Sequence, residues 1–182
     1  MFGESFNRIN DSRFMSAVQR QSGHLLHVHG EAPRLASIFS SQHRWLMAHV
    51  GLWLHFESLQ DPTAGGLYPA SFLRLVAAHG ITSRNTASAF LSEMLQYGII
   101  VRNPSGSGLQ APDRRKRGMM PAAHTLQALH TWILLHLQTL DALDGSNRCE
   151  RYLAADGDQV TSILQPVIAQ RLLADEVIRN PD

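Results

Sequence analysis

Apolar residues return at helical spacing through much of the chain. The longest such stretch covers residues 33–59, where Leu35, Ile38, Phe39, Leu46, Val50 and Trp53 fall on one side of a helix. Trp45, Leu52 and Leu54 widen that side beyond a single stripe, which predicts a helix buried by more than one neighbour. Pro33 suits its first turn, where a missing N–H costs nothing. Residues 61–66 read Asp-Pro-Thr-Ala-Gly-Gly and predict a turn. A second helix is expected over 69–79, with Phe72, Leu73, Val76 and Ala77 inward and Gly80 closing it. Thr82 or Ser83 can cap a third helix over 84–97, whose inner face is Ala87, Phe90 or Leu91, and Met94 or Leu95.

The period then changes. Ile99, Ile100 and Val101 predict a strand. Residues 103–108, Asn-Pro-Ser-Gly-Ser-Gly, predict a loop. A charged tip over 113–118 leads to a return strand at Met119 and Met120. Pro121 should open a helix over 122–143, with Leu126, Leu129, Ile133, Leu137 and Leu140 as its seam, and Asp144 and Gly145 closing it. Val160, Ile163, Leu164, Val167, Ile168 and Leu172 predict one or two further helices. In the first thirty residues, Phe14 and Val18 suggest a short helix. The expected fold class is mainly α with a small β-wing.

Composition narrows the function more by exclusion than by assignment. The chain has 182 residues, 44% hydrophobic and 17% charged, enough apolar material for a core in about one domain. One cysteine, Cys149, rules out a disulfide framework or a multi-cysteine zinc site. No run is long and apolar enough for a membrane span, and the polar N-terminus does not read as a secretion signal, so a cytoplasmic protein is expected. The net charge of +1 hides an asymmetry. Residues 83–120 hold six basic side chains against two acids, whereas 138–182 hold four arginines against eight acids.

The order helix, helix, tight turn, helix, strand, loop, basic strand, long helix is that of a winged helix-turn-helix. Ser83, Arg84, Asn85, Thr86, Ser88 and Ser92 lie at the start and exposed face of the third helix, where the hydroxyls could meet phosphates or base edges in a major groove, Asn85 could read adenine, and Arg84 could read guanine or hold a phosphate. Arg102, Arg114, Arg115, Lys116 and Arg117 would belong to the wing and grip the flanking backbone. Residues 83–88, continuing through Leu95-Gln96-Tyr97-Gly98-Ile99-Ile100, resemble the recognition helix and first wing strand of MarR-like winged-helix transcriptional regulators. Asp113, Arg115 and the basic residues beside them resemble the wing motif of that family. Met120-Pro121 and His124 depart from the Leu-Thr pair and glycine usual after the wing. The resemblance covers about 35–143. It implies a homodimer on a pseudo-palindromic operator in double-stranded DNA, with a small-molecule effector. The corresponding division is an N-terminal dimerisation segment over 1–34, a DNA-binding core over 35–120, and C-terminal dimerisation helices over 121–182.

Other features have simpler readings. His24, His27 and His29 lie close together, and His43, His49 and His55 are six apart; ordinary surface or satisfied histidines explain both sets better than a metal site. Cys149, between Arg148 and Arg151, could sense oxidants, but an ordinary tail cysteine suffices. Trp45, Trp53 and Phe56 could line an effector pocket, though plain core is simpler. No nucleophile elbow, phosphate loop or dinucleotide motif is present, so no enzyme and no cofactor is expected. The competing function is a winged-helix protein–protein module that does not touch DNA.

Overall fold

A computed structural model describes residues 12–31, 38–103 and 118–175. These form seven α-helices, one short 3-10 turn and one two-stranded antiparallel sheet. In chain order they are α1 (Ser12–Glu31), α2 (Gln42–Gln60), the 3-10 turn Pro62–Ala64, α3 (Pro69–Ala78), α4 (Arg84–Gln96), β1 (Ile100–Arg102), β2 (Met119–Pro121), α5 (Ala123–Asp144), α6 (Arg148–Ala154) and α7 (Gly157–Ala174). The protein is mainly helical with a small β-hairpin. None of the described helices is long and apolar enough to cross a membrane.

The chain forms two compact units. The larger takes Ile38–Gln127 and Asp158–Asp182, the smaller Met1–Ser37 and Ala128–Gly157. Helix α7 belongs with α2 to α4, because its Leu173 joins the same apolar cluster as Leu46, Met47 and Val50.

In the larger unit, Ser41 caps α2 by accepting from the Arg44 N–H at 3.3 Å. That cap starts the helix at Gln42, so the single helix expected from residue 33 is broken at Phe39–Ser41, while residues 33–37 of that expectation lie outside the described residues. Helix α2 supplies Leu46, Met47, Val50 and Leu54 to the core. Helices α3 and α4 lay Phe72, Val76, Ala87, Phe90, Leu91 and Met94 against them. Ala77 of α3, expected inward, is exposed. Phe72 and Phe90 stack with ring centroids 6.2 Å apart. Pro166 sits inside α7, where it has no N–H to give the Ser162 carbonyl one turn back. The Gln60 side-chain amide of α2 donates to that carbonyl instead, which replaces the missing helix bond and ties α7 to α2.

In the smaller unit, α1 runs for 20 residues rather than as a short helix. Asp141 organises the turn from α5 into α6. Its carboxylate accepts from the backbone N–H groups of Arg148 (3.0 Å) and Cys149 (2.8 Å) and from the Ser146 hydroxyl (2.6 Å). Burial would raise the Asp141 carboxyl, but these donors overcome it and hold the group below the usual carboxylate range. Of the expected α5 seam, Leu129 and Ile133 are buried, while Leu140 is exposed.

Candidate nucleic-acid interface

Helices α3 and α4 meet through a short turn whose backbone is closed by its own bonds. The Ile81 N–H donates to the Val76 carbonyl at 3.1 Å, and Gly80 takes a φ of +63°, which favours glycine. Ser83 then caps α4. Its hydroxyl accepts from the Thr86 N–H at 3.2 Å and lies 2.9 Å from the Thr86 hydroxyl. Ser83 and Thr86, both predicted to meet DNA, are thus engaged in starting the helix.

At about 100° per residue, Ala87, Phe90, Leu91 and Met94 cover one side of α4, and all four are buried. The opposite side presents Asn85, Ser88, Ala89, Ser92 and Gln96, all exposed. The Ser92 hydroxyl donates to the Ser88 carbonyl at 3.1 Å, so it too is occupied. The Asn85 and Gln96 amides, the Ser88 hydroxyl and the Arg84 guanidinium have no partner among the described residues. Gln96 is not among the DNA contacts expected from the sequence, although its spacing of eleven from Asn85, three helical turns, puts it on the same side.

The one acid of α4, Glu93, is neutralised across the fold. Arg44 of α2 pairs with its carboxylate at 2.6 Å, donates to the Ile38 carbonyl, and sits 5.3 Å from the centre of the Phe90 ring. The pair is partly exposed, so its worth lies in fixing α4 against α2 more than in energy. A link between residues 49 apart leaves no local sequence pattern.

Tyr97 and Gly98 end α4, and the Ile99 N–H returns to the Met94 carbonyl at 2.9 Å. Strand β1 pairs with β2 in the register Ile100 to Pro121, Val101 to Met120 and Arg102 to Met119. Pro121 therefore finishes a strand rather than opening a helix. A bond of 2.8 Å from the Asn103 N–H to the Gly118 carbonyl carries the pairing one step further. The Met119 N–H donates to the Leu67 carbonyl at 2.8 Å, which ties β2 to the segment before α3. Arg102 is exposed at the end of β1. Arg114, Arg115, Lys116 and Arg117, predicted to form the wing grip, lie outside the described residues.

The remaining candidates do not converge. His24 and His27 are exposed on α1, and the His29 side chain is outside the described set. His49 is buried against Gln165. No group of three or more histidine, cysteine or acidic side chains among the described residues is arranged to hold a metal ion. Phe56 is buried, and Trp45 and Trp53 pack on the core. Compared with known proteins, the chain matches no family model, no curated sequence and no solved structure.

Proposed function

We propose that the chain is a homodimeric, sequence-specific DNA-binding transcription regulator of winged helix-turn-helix type. The observation that carries this reading is α4. It buries one side on α2 and α3 and turns outward a side bearing unengaged amide and hydroxyl groups, with the exposed Arg84 guanidinium on its flank. A hairpin follows directly, and four consecutive basic residues lie in the sequence between its strands. Dimerisation is supported by the smaller unit, where Met15, Val18, Leu25 and Leu26 of α1 are exposed, Leu26 to 71%. In a symmetric dimer the two α4 helices would read half-sites about one turn of DNA apart.

Exposed Leu59, Ile163 and Val167 on the larger unit favour a second reading, a protein–protein module. A labelled duplex from the region upstream of the protein's own coding sequence separates the two. Binding that an excess of unrelated duplex does not displace supports the regulator. Absence of binding to any duplex at low salt supports the docking module.

A further inference from the structure

The outward side of α4 is built of small and amide side chains. It carries no net charge of its own, because Glu93 is paired to Arg44 and Arg84 stands to one flank at the first turn. A neutral surface cannot draw much affinity from phosphates, so what it contributes to DNA binding is discrimination. Of its polar groups, three hydroxyls are already occupied: Ser83 and Thr86 in the cap, and Ser92 on its own helix backbone. The group in the first turn able to offer a donor and an acceptor side by side is the Asn85 amide. That pair matches adenine N7 and N6 in the major groove, and no other base edge there presents the same arrangement.

Asn85 has a short side chain, so it reaches a base edge only if the helix backbone comes close. The neighbours on its side allow that approach. Ser88, Ala89 and Ser92 are small, and all three are exposed. Ala89 lies one turn on, about 6 Å along the axis, which is roughly two base-pair steps. Its methyl group suits the methyl of a thymine.

Resting on the DNA-binding reading above, we propose that Asn85 is the specificity-determining residue of α4, and that each half-site holds an obligatory adenine opposite it. Arg84 then serves as a phosphate contact at the helix N-terminus, where it positions the helix without choosing sequence.

Selection of duplexes by the full-length protein from a random library tests this, followed by titration of single base-pair changes with wild type and Asn85→Ala. The expected result is a half-site with one invariant adenine. Exchanging that A·T pair for G·C should weaken wild type by about ten-fold or more, the lower range for a lost bidentate contact. Asn85→Ala should bind both duplexes equally while keeping its preferences at the other positions. A half-site with no invariant adenine, or an Asn85→Ala protein that discriminates at every position as wild type does, overturns the assignment and leaves DNA binding standing. Failure to enrich any duplex overturns the assignment together with the DNA-binding reading.

Discussion

A histidine buried between two helices ties stability to pH. Burial lowers His49 from 6.5 to about 4. The Gln165 amide nitrogen donates to its Nδ1 at 2.7 Å, which requires that nitrogen to be unprotonated. As pH falls through about 6.5 the unfolded chain takes up a proton that the folded chain refuses until about 4. Stability is therefore full above pH 6.5 and is lost across that window at about 1.4 kcal/mol per pH unit. His55, also lowered by burial, acts in the same direction. Urea denaturation near pH 5 should show about 2 kcal/mol less stability than at neutral pH, and His49→Gln should remove most of that difference. A wild type equally stable at both would contradict the assignment. Phe90 is the second residue of consequence, since it packs on Phe72 and carries Arg44 over its ring. Phe90→Ala should cost about 3–5 kcal/mol in the same assay, and a loss under 1 kcal/mol would show that the α2–α4 junction does not depend on it.

The turn between α3 and α4 sets how α4 is presented. A Cβ at Gly80 would meet nothing within 4 Å, so substitution there is a pure test of backbone conformation. Gly80→Ala should destabilise by about 1–2 kcal/mol through the positive φ alone, and an unchanged denaturation midpoint would mean that the turn adopts another conformation. Elements of this kind were readable beforehand because their signals are local. Ser83, Gly80 and the Ala87–Phe90–Met94 spacing placed α3 and α4 closely, and Ile99 to Val101 marked β1 to within a residue. The break at Phe39–Ser41 is hidden in the sequence because apolar spacing continues across Ser41, whose capping bond to Arg44 starts α2. Helix α1 was underestimated because it buries only Ala17 fully among its described side chains, so its inward face leaves little apolar pattern. The replacement of the Pro166 helix bond by Gln60 and the pairing of Arg44 with Glu93 could not be read at all, since each joins residues far apart in sequence.

For the whole molecule, the proposed regulator assigns DNA reading to the larger unit and dimerisation to the smaller. The larger unit holds α4, whereas the smaller exposes apolar side chains along α1, with Leu140 and Leu153 exposed elsewhere in it. Changing Leu25 and Leu26 to Glu should shift sedimentation from dimer to monomer without loss of helix signal. A wild type that is already monomeric would contradict dimerisation through this unit. DNA binding itself is tested most directly by anisotropy with a duplex across a salt series, comparing wild type with a variant in which Arg114, Arg115, Lys116 and Arg117 are all Ala. The wild-type affinity should fall linearly with the logarithm of salt concentration, and the variant's slope should be shallower by about 0.9 for each phosphate contact removed. Equal slopes for the two proteins, or no salt-sensitive binding to any duplex, would contradict the proposed regulator.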